Sequence, residues 1–126
     1  MSQKIVALLF LILSTTEASF SQQVLNPQEA FPVEVAYQNN VLQVSHQIKE
    51  GYYLYSDKIS YETRDKRILL DSVRLPEGIK YEDEFFGKTE IFRYDFTIYI
   101  PISIKTGEEI DNFDIQINSQ GCADIG

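Results

Sequence analysis

The chain has 126 residues, of which 44% are hydrophobic and 13% aromatic, so it has room for one domain with a hydrophobic core. Its formal net charge of -8 argues against nucleic acid as a partner, because phosphates attract basic surfaces. Acidity of this size serves solubility in most proteins.

The N-terminal segment has the pattern of a secretory signal peptide. A positive charge precedes an apolar run at residues 5–13, and small residues follow it. The run has less than half of the roughly 20 residues that a membrane-spanning helix needs. Cleavage after Ala18 or after Ser21 fits the pattern. We therefore expect a signal peptide at residues 1–21 and one exported domain at residues 22–126.

The first predicted element of the domain is a single helical turn. Asn26 is a suitable cap, Pro27 occupies the first helical position, and Glu29 stands where the acid of a capping box belongs. These signals predict about one turn of helix.

The rest of the chain is predicted to be β, because apolar residues alternate with polar ones. The clearest case is residues 91–104, IFRYDFTIYIPISI, which we predict to be one long strand with one buried face. Pro101 cannot donate a ladder hydrogen bond, so we expect this strand to bend or to run along an edge there. The predicted apolar face consists of Phe92, Tyr94, Phe96, Ile98, Ile100, Ile102 and Ile104.

Shorter runs with the same alternation predict further strands, each with one buried face. They lie at residues 33–37, 42–48, 53–55 and 113–117. Turn signals separate them, at residues 38–40, 50–51, 76–78 and 106–107. Several short strands with hairpin-like spacing favour an all-β, antiparallel β-sandwich.

Two groups of residues have an ordinary structural explanation. His46 is the only histidine and lies on an apolar strand face. A zinc site or a histidine base would have further ligands nearby, so we interpret His46 as a core or boundary residue. The segment YYLY, residues 52–55, is typical of an amphipathic core edge whose tyrosine hydroxyls reach solvent.

Two other segments are less ordinary. In residues 81–92, YEDEFFGKTEIF, three consecutive carboxylates run directly into two phenylalanines and a glycine. In residues 120–126, QGCADIG, Cys122 is the only cysteine of the chain. A single thiol in an exported protein is normally paired, hidden or reactive. Taken alone, Cys122 leaves open a structural disulfide or a metal site with Asp124 and His46.

Three segments in this order resemble the N-terminal periplasmic domain of the thiol:disulfide interchange protein DsbD. They are GYYLYSDKI at residues 51–59, EDEFFGKTEIF at residues 82–92, and QGCADIG at residues 120–126. The resemblance implies an immunoglobulin-like sandwich and a reversible disulfide between Cys122 and a second cysteine, with five residues between the two. That cysteine would fall beyond Gly126, so we expect the sequence to be a fragment that ends inside the redox motif.

The resemblance also implies roles for individual residues. Cys122 is the implied catalytic residue, beneath a cap loop in which Phe85 shields the sulfur. Asp83 and Glu84 would lie near the thiol, where negative charge disfavours the thiolate and makes it a slow nucleophile. The remaining implied site residues belong to the cap loop, to a neighbouring tyrosine pair and to the cysteine turn: Phe86, Gly87, Tyr53, Tyr55, Asp124 and Gly126.

The implied activity is that of a thiol:disulfide oxidoreductase in the periplasm of a Gram-negative bacterium, tethered to the inner membrane and complete only with the second cysteine. Electrons would come from the membrane-embedded part of the full-length protein, whose C-terminal domain is a further implied partner. They would pass to thioredoxin-like periplasmic proteins, including disulfide isomerases and cytochrome c maturation factors. No metal, flavin or nucleotide is implied. The alternative is a non-catalytic β-sandwich module for binding or adhesion, in which Cys122 forms a structural disulfide.

Overall fold

A computed structural model of the protein describes residues 23–105, 107 and 109–125. The expected signal peptide, with both candidate cleavage positions, lies outside these residues, as do Thr106 and Gly126. The regular secondary structure of the described part is β apart from one turn of α-helix and one short 3-10 helix, which confirms the predicted all-β class. No helix among these residues is long and apolar enough to cross a membrane.

The described strands form two sheets of four strands and one of two, and all of their pairs are antiparallel. Around them, the helical turn α1 is Pro27–Ala30 and the 3-10 helix is Ser56–Lys58. The strands are β1 (Val33–Gln38), β2 (Val41–His46), β3 (Tyr52–Tyr55), β4 (Ser60–Glu62), β5 (Ile68–Leu70), β6 (Ile79–Asp83), β7 (Gly87–Phe92), β8 (Phe96–Ile104), β9 (Gln116–Asn118) and β10 (Gly121–Ala123). The first sheet has the order β1-β2-β8-β5, the second β10-β3-β7-β6, and the third pairs β4 with β9.

The helical turn forms where the sequence predicts it. The Asn26 side-chain oxygen accepts a hydrogen bond from the Glu29 backbone nitrogen at 2.9 Å, and its amide donates to the Glu29 carboxylate at 2.8 Å. The turn ends at Phe31, because the following Pro32 disfavours helical backbone in the residue before it. This ending places the Phe31 ring edge-on against Tyr52, with 5.8 Å between the ring centroids.

The prediction of one long strand at residues 91–104 is wrong, because the segment forms two strands in two different sheets. Ile91 and Phe92 at the end of β7 are both buried, whereas Tyr94 is 78% exposed instead of lying on the apolar face. Asp95 fixes the segment that passes from one sheet to the other, since its carboxylate accepts a hydrogen bond from the Ile48 backbone nitrogen at 2.8 Å. The break leaves residues 93–95 outside both ladders.

Pro101 lies within β8, at the point where the pairing with β2 on one side ends and the pairing with β5 on the other side begins. β2 pairs with β8 up to Pro101, and β5 pairs with β8 from Ile102 onward. Pro101 therefore occupies the last position of one ladder, where proline is tolerated. Its carbonyl accepts a hydrogen bond from the Asp71 backbone nitrogen at 3.0 Å.

The largest core cluster covers the inner face of the first sheet. Each fully buried aliphatic side chain in it stabilises the fold by roughly 1.5 to 3 kcal/mol. Partly buried residues of β4, β9 and the segment before β9 pack against it from outside, including Tyr61 and Ile117. The buried members are Leu42, Val44, Ile68, Ile98, Ile100, Ile102 and Ile110.

His46 belongs to this buried face, as the strand pattern predicts. Its side chain is 1% exposed, its ring stacks on Phe96 at 4.7 Å, and its Nε2 lies 2.6 Å from the Tyr61 hydroxyl. Burial lowers the pKa of His46 and raises the pKa of Tyr61 to about 12. His46 is therefore a neutral core residue at neutral pH.

β1 departs from the prediction that each strand has one buried face. Val33, Val35 and Tyr37 lie opposite the buried residues of β2, so they share the core face of the sheet. They are nevertheless 37% to 48% exposed. The alternating pattern is present, but β1 is an edge strand and its core face is only partly covered, since Phe113 packs edge-on against Tyr37 with 5.2 Å between the ring centroids while Val33 and Val35 stay exposed.

Candidate functional site

Cys122 lies on β10, at the edge of the second sheet. β10 pairs with β3, and Cys122 stands directly opposite Tyr53. Residues in such a pair project to the same face of a sheet. The half-buried, free thiol therefore packs beside the cluster of Tyr53, Tyr55 and Ile91, on the face that points away from the core residues Leu54 and Phe92.

Gly121 permits the close packing of β10 on β3. A Cβ atom at this position would lie 2.3 Å from the Phe31 ring and 2.6 Å from the backbone oxygen of Tyr53. A backbone oxygen inside a strand pair cannot move aside without disturbing the ladder. The glycine before the cysteine is thus required by contact with its neighbours.

β3 supplies two tyrosines to the site. All four of its residues are buried, so the prediction of a core edge with hydroxyls in solvent is wrong. The Tyr53 hydroxyl donates to Asp83 Oδ2 at 3.2 Å, and the Tyr55 hydroxyl donates to the same oxygen. Burial raises the pKa of both tyrosines; hydrogen bonds with Tyr55 and Cys122 add to the effect at Tyr53, and the bond to Asp83 adds to it at Tyr55. Both hydroxyls therefore stay protonated and act as donors.

The predicted cap loop is the hairpin turn between β6 and β7. Asp83 pairs with Gly87 across the turn. Gly87 adopts a left-handed φ of 66°, a conformation for which glycine is the favoured residue in a three-residue hairpin loop. Asp83 Oδ1 accepts hydrogen bonds from the backbone nitrogens of Phe85 at 3.0 Å and Phe86 at 2.7 Å. One carboxylate oxygen thus holds the turn together, and the other holds it against the tyrosines.

This double use keeps the Asp83 side chain charged. Desolvation acts to raise its pKa, but the hydrogen bonds from Tyr55, from the Phe86 nitrogen, from Tyr53 and from the Phe85 nitrogen together lower it. A carboxylate that accepts several hydrogen bonds is stabilised in its ionised form. Asp83 is thus an anion near the thiol and a structural anchor for the loop.

The two phenylalanines of the loop have different surroundings. Phe86 packs edge-on against Tyr55 at 4.7 Å, and the Lys58 ammonium lies 4.9 Å from the centre of its ring. Phe85 is 66% exposed and lies at the rim of a cleft of about 330 Å³ that also contains Cys122. The cleft is lined by Tyr53, Tyr81, Glu82, Asp83, Glu84, Phe85, Cys122, Ala123 and Asp124.

Arg93 is a residue of this region that sequence reasoning missed. Its Nη1 donates to Asp124 Oδ2 at 3.1 Å, and its guanidinium lies over the rings of Tyr53 at 5.1 Å and Tyr81 at 5.3 Å. The hydrogen bond to Asp124 raises the pKa of Arg93. Because Phe92 stands opposite Leu54, the register continues with Arg93 opposite Tyr53. A correct strand end after Phe92 would have revealed this placement.

Most of the residues implied by the resemblance lie together at the cleft. Phe86 and Gly87 complete the hairpin turn beside it, whereas Gly126 lies outside the described residues. His46 is on β2 in the other sheet, and among the described residues no group of three or more His, Cys, Asp and Glu side chains is arranged to hold a metal ion. The residues that lie together are Cys122, Tyr53, Tyr55, Asp83, Glu84, Phe85 and Asp124.

Comparison with known proteins adds a family to this geometry. A family model described as thiol:disulfide interchange protein DsbD, N-terminal, matches residues 21–126. The chain is 34% identical over 132 residues to the thiol:disulfide interchange protein DsbD of Citrobacter koseri and 33% identical to that of Escherichia coli K12. Both matches cover 100% of this chain and 22% of the relative. The chain thus spans about a fifth of the length of these relatives.

Solved structures show the same likeness. The reduced N-terminal domain of DsbD from Neisseria meningitidis matches with a TM-score of 0.69 and 29% identity, over 82% of this chain and 79% of that one. A structure of the complex between the DsbD N-terminal and PilB N-terminal domains of that organism matches with a TM-score of 0.62 and 30% identity, over 82% and 77%. Together with the antiparallel sheets, these matches confirm the predicted immunoglobulin-like sandwich.

Proposed function

This chain belongs to the family of DsbD N-terminal domains, and on that premise we propose that it carries out thiol–disulfide exchange at Cys122. The observation that carries the proposal is the cleft, in which a half-buried free thiol lies opposite Tyr53 and shares the lining with Glu84 and Phe85 of the hairpin turn. We further propose that residues 1–21 direct export and that residues 22–126 form the periplasmic domain.

The exchange begins with the Cys122 thiolate as nucleophile. It attacks one sulfur of a partner's disulfide, so that the partner's S–S bond breaks and a mixed disulfide to Cys122 forms. The partner's other sulfur leaves as a thiolate and takes up a proton. A second thiol then attacks the Cys122 sulfur, which releases the partner as a dithiol and leaves this protein's pair oxidised. The sequence holds one cysteine, so the second thiol comes from outside residues 1–126.

The residues around Cys122 control when this attack occurs. Phe85 at the rim of the cleft limits access to the sulfur until a docking partner displaces it. The carboxylates of Asp83 and Glu84 line the same cleft, where they disfavour a further negative charge, so the free domain should be a slow nucleophile between encounters. Tyr53 and Tyr55 hold the loop closed through Asp83. Such protection suits a carrier of electrons in an oxidising compartment.

The partners that we propose follow from the same family membership. Electrons reach Cys122 from the membrane-embedded part of the full-length protein and leave toward thioredoxin-like periplasmic proteins. Disulfide isomerases and cytochrome c maturation factors are the proposed recipients. The solved complex between DsbD and PilB N-terminal domains supports docking of a separate domain on this kind of domain.

Trapping of the mixed disulfide tests the proposal. The partner is a thioredoxin-like domain with one active-site cysteine changed to serine and the other held as a mixed disulfide with thionitrobenzoate. Attack by Cys122 should release one equivalent of coloured thionitrobenzoate and leave a covalent complex. Cys122→Ser should release none.

A parallel reaction of Cys122 with iodoacetamide shows whether the thiol is accessible. If iodoacetamide modifies Cys122 but no covalent complex forms with the thioredoxin-like domain, the exchange function is wrong. That outcome would favour the non-catalytic binding module.

A further inference from the structure

We propose that Arg93 is a positioning residue for Cys122, which it fixes by clamping Asp124 across the face of Tyr53. This inference rests on the proposed function. Arg93 is not among the residues that line the cleft, and it acts through the strand that carries the thiol.

The clamp is built from three neighbouring strands. β10 and β7 flank β3, so Asp124 just after β10 and Arg93 just after β7 lie on opposite sides of it. The Asp124 backbone nitrogen donates to the Gly51 carbonyl at 2.9 Å, which continues the ladder beyond the last strand pair. The Arg93 guanidinium then crosses over the Tyr53 ring at 5.1 Å to reach the Asp124 carboxylate at 3.1 Å. Cys122, Tyr53 and Arg93 thus form a row across the sheet.

β10 needs such a clamp because it is a short edge strand. It has three residues, and within the described part of the chain it pairs with β3 alone. An edge strand of this length has few ladder hydrogen bonds to hold it in place. The guanidinium holds the end of β10 through the carboxylate of Asp124. It is itself held over the aromatic faces of Tyr53 and Tyr81.

Arg93 also balances charge at the thiol. The acidic residues Glu82, Asp83, Glu84 and Asp124 line the cleft with Cys122, and Tyr53 of β3 and Tyr81 of β6 complete that lining. Tyr55 lies in the same cluster. Arg93 neutralises Asp124, the carboxylate closest to Cys122 along the chain. Without it, an unpaired charge would remain two residues along the chain from Cys122, a backbone spacing of about 7 Å in extended chain.

Alkylation of the whole chain by iodoacetamide tests the inference, since Cys122 is its only thiol. We expect Arg93→Gln to move the rate profile to higher pH and to slow the reaction about threefold near neutral pH, the effect of one unpaired charge at this distance in water. Arg93→Lys keeps the charge and should stay close to the unmodified protein. In an Asp124→Asn background the guanidinium has lost the carboxylate that holds it across Tyr53, so Arg93→Gln should shift the profile less than it does in the unmodified protein.

The matched control is Arg67→Gln, which breaks the ion pair of Arg67 with Asp65 at 2.6 Å in another loop and should leave the profile unchanged. An unchanged profile in Arg93→Gln would overturn the inference. So would an equal shift with Asn at position 124, because Arg93 would then act without Asp124. Thionitrobenzoate release tests the proposed function separately: release that persists beside an unchanged profile refutes the role of Arg93 alone.

Discussion

Replacement of Phe85 by alanine distinguishes two roles for this side chain, a cover over the Cys122 thiol and an ordinary core residue. The ring is 66% exposed and lies at the rim of the cleft that contains Cys122. Its backbone nitrogen, not its side chain, makes the hydrogen bond that holds the turn to Asp83. We therefore expect Phe85→Ala to open the cleft while the hairpin turn stays in place.

The size of the stability change follows from this exposure. A phenylalanine buries about 200 Å² when fully enclosed, so a side chain that is one-third buried hides about 70 Å². At about 25 cal/mol per Å², its loss costs at most about 1.7 kcal/mol of the free energy of unfolding. A buried phenylalanine costs roughly 3 to 5 kcal/mol. Phe92, which is 5% exposed, is the matched core control.

The assay measures two quantities on each variant of the whole chain. One is the rate of Cys122 alkylation by iodoacetamide, followed by mass spectrometry under native conditions, and the other is the free energy of unfolding from urea titration. Phe85→Ala should speed alkylation several-fold at a small stability cost, and Phe92→Ala should lose several times more stability. A loss of 3 kcal/mol or more in Phe85→Ala, with no change in alkylation rate, would refute the assignment of Phe85 as a cover.

Three further predictions concern the surroundings of the site and the core. Gly121→Ala should lower the free energy of unfolding by roughly 1 to 3 kcal/mol in urea titration and displace β10, since the new Cβ meets the Tyr53 carbonyl. Unchanged stability would contradict this close packing. Asp83→Asn keeps an acceptor for the turn but removes a charge, so it should move the alkylation profile to lower pH. Asp83→Ala also releases the turn and should speed alkylation at every pH. Identical profiles for the two variants would be inconsistent with the separate roles of Asp83 as a charge and as an anchor of the turn. Burial lowers the folded-state pKa of His46, so the unfolded chain binds its proton first, and stability should fall as the pH drops below 6.5 and through the folded-state value; His46→Leu should reduce this slope in urea titrations between neutral and acidic pH.

The sequence predicts the parts of the fold that depend on local pattern. The capped turn at Asn26, the pairing of β1 with β2 through a turn at Asn39 and Asn40, and the buried positions of β2 all follow from residue type and alternation. Both asparagines adopt a positive φ, which their short polar side chains tolerate. The wrong predictions about burial arise where distant segments decide it: β1 is only partly covered by the opposite layer, and the hairpin turn contacts the outward-facing tyrosines of β3.

The resemblance predicts which residues belong to the site, but not how these residues contact one another. Resemblance brought Cys122, Asp83 and Phe85 into one region, and the structure places them around one cleft. The role of Asp83 as the common acceptor of two tyrosines and two backbone amides depends on strand register, which alternation alone does not determine. Arg93 is not predicted for a related reason, since alternation alone predicts one strand at residues 91–104.

The shortness of β10 has a consequence for how the protein opens in solution. Amides of a short edge strand exchange their hydrogens through local fluctuations, whereas amides in the middle of a well-packed sheet exchange mainly through global unfolding. The amide of Asp124 should therefore lose protection long before those of β8, which pairs along its length with β2 and β5. The proposed nucleophile Cys122 therefore lies on a segment that we expect to open locally while the rest of the sandwich stays folded, so that a partner would reach the sulfur without unfolding the domain.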